Sequence, residues 1–153
     1  MLLWRLSGAR HARAFDGGYG LLFDGRWNLA GAAITYCATS PALCVLEKLV
    51  HIEDPRLLPE LTMVAYNVPD AAGFDQIGLD DLPQDWRRQE ALTQRLGEQW
   101  RRTGQHALLR VPSAIVPLEG SPDVNVLINH AHPDSEAIAI RRLAPFSLDP
   151  RLL

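Results

Sequence analysis

The chain has 153 residues, 47% of them hydrophobic, and 15 Lys+Arg against 18 Asp+Glu for a net charge of −3. That is the size and composition of one globular domain, with no basic excess to hold nucleic acid. No segment approaches the ~20 apolar residues of a membrane span, and the run before Arg5 is too short for a signal peptide, so a soluble cytoplasmic protein is expected.

Residues 2–6 read as a first strand, with Arg5 either at its polar end or aimed at an anion. Residues 7–25 hold Gly8, Gly17, Gly18, Gly20 and Gly25 and read as a long loop. Such a loop inside a compact domain is functional or mobile, and this one is expected to be a mobile edge of a site. Residues 32–38 read as a strand. Ser40 then suits an N-cap and Pro41 the first helical position, and the helix is expected to run to about residue 52, where Asp54-Pro55 stops it. On its wheel Leu43, Leu46 and Val50 share an apolar arc, Glu47 falls inside that arc, and Lys48 points away. An acid there is costly to bury unless something pairs with it, and His51 stands at i+4. Cys37 on the strand and Cys44 on the helix, with no CxxC, read as small buried hydrophobes in a reducing compartment.

Residues 60–68 read as a strand ended by Pro69, and residues 70–82 as loop. Pro83 fits the first turn of a helix running to about residue 103, with Trp86, Leu92, Leu96 and Trp100 on one side and Gly104 at the end. Its arginines, Arg87-Arg88 and Arg101-Arg102, lie among Glu90 and Glu98 and read as a solvated face. Residues 107–116 read as a strand broken at Pro112-Ser113, and residues 124–129 and 137–142 as two more. Strands outnumber helices without strict alternation, so the fold class is α+β with a mixed sheet and a few flanking helices.

GxGxxG after a strand, GxxxxGK(S/T), HExxH and GxSxG are all absent, which leaves ordinary dehydrogenase, nucleoside triphosphatase, zinc protease and esterase chemistry without support. His130-x-His132 has no third ligand nearby and reads as turn polarity, so no metal site is expected. Arg26 offers a planar fork to phosphate or carboxylate, or pairs with a structural acid. Tyr36 either fills the core or turns its ring to a ligand. Glu47 is either the partner of His51 or a functional acid. Ser113 has no adjacent histidine motif, so it reads as a binding hydroxyl rather than a nucleophile.

Taken together, Gly25-Arg26-Trp27-Asn28, Gly31, Tyr36, Ser40 and Glu47 resemble the RES-domain family, named for its arginine, glutamate and serine. Trp4-Arg5, Val111-Pro112-Ser113 and Asn129-x-x-His132-Pro-Asp134 extend the resemblance from about residue 3 to residue 142, with His130 where many relatives are expected to carry proline. The resemblance implies one RES domain over residues 1–153, with a core like that of ADP-ribosyltransferases. It implies a toxin of a type II toxin–antitoxin pair. The partner would be an Xre-like helix-turn-helix antitoxin, which alone would touch DNA, and the toxin would form a homodimer within a larger complex. NAD+ would be substrate, with no further cofactor. Glu47, Arg26 and Tyr36 would be catalytic, and Arg5, Trp27, Ser40 and Ser113 would contact substrate.

On that footing, breaking the nicotinamide–ribose bond builds oxocarbenium-like charge on the ribose, which Glu47 would stabilise. Tyr36 would stack on nicotinamide, Arg26 and Arg5 would bind the pyrophosphate, and Trp27 with Phe23 would flank the base. Nicotinamide leaves without a general acid, because it is already cationic in NAD+. The acceptor, water or phosphate, stays open. Two other readings stay open with it: transfer of ADP-ribose to a macromolecule, and a non-catalytic module acting only with its antitoxin.

Overall fold

In the computed structural model, which describes residues 1–153, six β-branched or apolar runs and a two-residue polar strand in the stretch read as loop form seven strands. These are Leu2–Gly8 (β1), Ile34–Ala38 (β2), Leu61–Asn67 (β3), Asp75–Gln76 (β4), Leu108–Pro112 (β5), Val124–Asn129 (β6) and Ala139–Phe146 (β7). They make one mixed α+β sheet in the order β4-β5-β6-β2-β1-β3-β7, antiparallel except where β4 joins β5. Three helices flank it: Gly18–Leu22 (α1), Pro41–Leu49 (α2) and Glu90–Thr103 (α3).

Register decides which side chains share a face. Tyr36 lies opposite Leu127, Ala38 opposite both Asn125 and Trp4, and Asn125 opposite Val111. Side chains alternate along a strand, so Ile34, Tyr36, Ala38, Asn125, Leu127 and Trp4 point one way while Leu3, Arg5, Cys37 and Val126 point the other. The first face packs Ile34, Leu109 and Leu127 against Trp27, Trp86 and Trp100. The second buries Leu3, Cys37, Val64, Tyr66, Leu108 and Val126.

The helices depart from expectation in three ways. The stretch read as loop before residue 25 contains α1, entered through Gly17 at φ +73°, which a side chain would strain, and seated by Gly20 against the Ala32 carbonyl. The segment after Pro83 is a separate 3-10 turn, Trp86–Arg88, and α3 begins only at Glu90. The break lets Trp86 join Trp27 in the core, while α3 buries Thr93, Gly97 and Trp100. Gly97 is required there, because a Cβ would run into the Trp27 carbonyl.

In α2 the expected apolar arc is corrected: Leu43 and Cys44 are buried, whereas Leu46 and Val50 are 40% and 61% exposed. Lys48 does not point fully away; it is half-buried, and that burial lowers its ammonium pKa. The helix is turned so that Leu43, Cys44 and the acid face the sheet while Leu46 and Val50 do not.

Candidate active site

Gly25-Arg26-Trp27-Asn28 closes on itself on the first sheet face. The Gly25 N–H donates to the Asn28 carbonyl (2.9 Å), and the Asn28 amide nitrogen donates to the carbonyls of Phe23 (3.2 Å) and Leu29 (3.1 Å). The Tyr36 hydroxyl fastens this loop to β2, donating to Asn28 Oδ1 (2.7 Å) and accepting from the Trp27 N–H (3.0 Å). A Cβ on Gly25 would stand 2.6 Å from the Tyr36 oxygen, so only glycine lets the loop lie on the phenol. Burial pushes the Tyr36 pKa above its ordinary value, which keeps the hydroxyl neutral and able to donate. From the other side, α3 grips the loop backbone: the Thr93 hydroxyl donates to the Arg26 carbonyl and the Gln94 amide to the Gly25 carbonyl.

Within this loop Arg26 and Trp27 diverge. Trp27 is 2% exposed, its ring 6.1 Å from that of Trp86. This corrects its assignment as a substrate contact: it is the plug that seats the loop. Arg26 is half-buried, lies over the Trp86 ring (5.7 Å) and donates one bond, to the Arg87 carbonyl (3.2 Å). It has no carboxylate partner.

Glu47 reaches the same sheet face from α2. Its Oε1 accepts from the Asn125 amide (2.8 Å) and the Ser113 hydroxyl (3.2 Å), and Oε2 takes no protein bond. The alternative pair with His51 does not form. Asn125 is opposite Ala38, two residues along β2 from Tyr36, so the residue that holds the acid and the strand position of the phenol are one strand repeat apart, roughly 7 Å along the backbone. Ser113 is fully buried, and its oxygen also accepts from the N–H groups of Ile115 (3.0 Å) and Val116 (3.2 Å). One proton and two lone pairs are thereby engaged, and the proton is the one that orients Glu47.

Two further expected contacts are corrected. Ser40 accepts from Leu43 N–H (3.2 Å) and donates to Asp123 (2.6 Å), so it caps α2 and ties it to the turn before β6. Arg5 lies on the opposite sheet face, where its guanidinium donates to the carbonyls of His11, Ala12 and Ala14 (3.2, 3.2 and 3.0 Å) over the Tyr66 ring. One step of strand alternation separates it from the face that holds Tyr36. Phe23, expected to flank a base, is 53% exposed against Tyr19.

The sequence reading passed over Asn125 and the anchoring role of Asn28. The signal for Asn125 was its register: it is the polar residue two places from inward-facing Leu127 on β6. His130 stands 2.7 Å from the Thr35 hydroxyl on β2, and His132 accepts from the Asp134 N–H. Burial pushes the Cys44 thiol up to about 12 and raises that of Cys37, so neither is a ready nucleophile. No helix is long and apolar enough to cross a membrane.

Comparison with known proteins places this geometry in a family. The model of the RES domain matches residues 2–149. A protein of Sphingobium sp. named "Prs ADP-ribosylating toxin" is 38% identical over 98% of this chain and 95% of its own length. Proteins named "Toxin Res" from Pseudomonas putida and Photorhabdus laumondii are 36% and 33% identical, the first over 99% of both chains and the second over 100% of this chain and 97% of its own. Among solved structures, a chain of the M. tuberculosis MbcT–MbcA toxin–antitoxin complex superposes with a TM-score of 0.72 at 18% identity, covering 95% of this chain and 84% of its own, which is a likeness of fold. By the family match and by relatives similar along nearly their whole length, the chain belongs to the RES-domain family.

Proposed function

We propose that this chain is the toxin of a toxin–antitoxin pair and cleaves the nicotinamide–ribose bond of NAD+, with Glu47 as the acid beside the ribose. The observation that carries this reading is the state of that acid. Asn125 and Ser113 orient one oxygen without neutralising it, no cation pairs with it, and the other oxygen is free. An oriented, unneutralised carboxylate interacts more strongly with a ribose gaining positive charge than with the ground state, which is the requirement for catalysis. The names of the relatives agree with a toxin, and one of them names ADP-ribosylation.

In the first step the bond between the anomeric carbon and the nicotinamide nitrogen breaks. Its electron pair leaves with nicotinamide, which departs neutral, and the ribose takes up the positive charge. An acceptor oxygen then bonds to the anomeric carbon and gives up its proton. Water gives ADP-ribose and phosphate gives its 1-phosphate, so the protein is a glycohydrolase or a phosphorylase. Arg26, whose guanidinium gives only one bond to the protein, binds a phosphate of the substrate. Tyr36, its hydroxyl committed to the loop, contributes its ring to the nicotinamide. NAD+ is the only small molecule the reaction needs besides the acceptor. The partner is an Xre-like helix-turn-helix antitoxin, binding a toxin homodimer in the cytoplasm.

The test is to incubate purified protein with NAD+, with and without phosphate, and follow free nicotinamide. Glu47→Gln should cut release roughly 10²- to 10³-fold with unchanged melting, since it removes charge and keeps shape. The wild-type protein releasing no nicotinamide under either condition would sink the reading. A second reading, ADP-ribosyl transfer, shares the bond-breaking step and is favoured by the name of the Sphingobium relative. Adenylate-labelled NAD+ separates the two: label on a macromolecule means transfer, and free product means degradation.

A further inference from the structure

We propose that Arg87, with the hollow beside Trp86, forms the subsite for the adenylate half of the dinucleotide, and that Arg87 supplies the second cation on the diphosphate. This rests on the NAD+ reading. A diphosphate carries two negative charges, and the site described so far offers one guanidinium, Arg26. Arg5 cannot be the other, because it lies across the sheet and is bound to three carbonyls.

Arg87 lies where the two halves of the site meet. Its carbonyl accepts from Arg26 (3.2 Å), and its guanidinium donates to the Ala114 carbonyl (3.2 Å). Ala114 follows Ser113, which holds Glu47. One residue thus links the loop that carries Arg26 to the segment that orients the acid. Each guanidinium gives one bond to a neutral carbonyl, so most of its N–H groups stay available.

Neither arginine has an acidic partner, a state they share with most arginines of the chain, and what sets this pair apart is that one is anchored on the backbone of the other. The acids nearest along the chain are used elsewhere, Asp85 by Gln89 (2.7 Å) and Glu90 by Gln94 (3.4 Å). Two cations anchored through one residue without a counter-charge suit a dianion.

Beside Arg87 is a hollow of about 290 Å³ whose walls include Leu79, Leu82, Pro83, Gln84 and Pro117. It is at the small end of ligand pockets, a size for one flat base rather than a whole dinucleotide. Trp86 is 4% exposed, so the base would lie against the aliphatic edges of Leu79, Leu82 and the two prolines, with Gln84 as a polar neighbour and Arg87 at the rim for the phosphates. Arg87 is exposed, as expected of a solvated face, but it precedes α3 and its guanidinium turns to the Ala114 carbonyl.

Calorimetric titration of the full chain with ADP and with pyrophosphate tests this. Arg87→Gln should weaken both by roughly 10- to 100-fold, and the affinity that remains should depend less on salt. Leu82→Trp, which fills the hollow, should weaken ADP and spare pyrophosphate. Arg88→Gln, on the exposed next residue, should change neither. Melting curves identify any variant that fails to fold, and Arg87→Lys then serves in place of Arg87→Gln, because it keeps charge and loses the fork. With NAD+ as substrate, Arg87→Gln should raise KM and leave kcat within a few-fold. If wild-type protein releases nicotinamide and Arg87→Gln matches it in KM and ADP affinity, the subsite is wrong and the cleavage reading stands. If ADP binds in an Arg87-dependent way and no nicotinamide is released, the subsite stands and the cleavage reading falls. If ADP does not bind wild-type protein, the subsite is overturned.

Discussion

Asn125 on β6 holds one carboxylate oxygen of Glu47 on α2 at 2.8 Å, across 78 residues of sequence, and leaves the other oxygen free. The bond sets the direction of the acid. Asn125→Ala should therefore lower kcat for nicotinamide release about 10- to 100-fold with KM little changed, because the ribose still binds but meets a misplaced charge. Asn125→Asp should be worse, since it sets a like charge against Glu47. In a Glu47→Gln background Asn125→Ala should add little, as expected for groups that act as a unit. Losses that simply multiply would show that Asn125 acts otherwise.

The Tyr36 hydroxyl belongs to the loop, and its removal should be felt first in stability. Tyr36→Phe leaves the Trp27 N–H, on a residue 2% exposed, without its acceptor. An unmet buried donor costs about 1–3 kcal/mol, which for this chain length lowers Tm by roughly 2–12 °C. Thermal melts of the two proteins decide it, and coincident curves would mean that the hydroxyl does not anchor the loop.

Acid should weaken α3 through Glu98. The bonds it accepts from Arg101, at 2.6 and 2.7 Å, and from Arg102, at 2.8 Å, hold its carboxyl down to about 2. The unfolded chain titrates near ~4.3, so the folded value is the lower one. The bonded carboxylate then contributes in full above ~4.3, and the contribution is lost as pH falls from there through about 2. The group is partly exposed, so solvent screening holds it to ~0.5–1 kcal/mol. Glu98→Gln should lower Tm at neutral pH by roughly 1–4 °C and flatten the fall in Tm across that acid window. Parallel acid limbs would exclude this role.

Much of the scaffold was legible in local chemistry. Alternating apolar residues located β6 to the residue and β1, β2 and β3 to within two, and Ser40-Pro41 marked the start of α2. The site was legible as a set of residue types but not as an assembly. Hydropathy on the α2 wheel chose Leu46 and Val50, because nothing near Glu47 in sequence announces Asn125 and Ser113. Alternation alone says that Trp4 and Arg5 point opposite ways. Only the pairing of Trp4 with Ala38 says which of them shares the face of Tyr36. Trp27 is a core residue because Gly97, 70 positions later, admits its carbonyl, and nothing near Trp27 in sequence announces that.

The partners of Arg26 and Glu47 come late in the chain, and this bears on the order of events during synthesis. Arg26 waits for Arg87 and Thr93, and Glu47 waits for Ser113 and Asn125. A nascent chain stopped before Ser113 already carries the arginine, the phenol and the acid, yet none of the groups that aim the acid has been made. The three residues of the motif are translated early, and the acid is held in place only when β6 emerges from the ribosome.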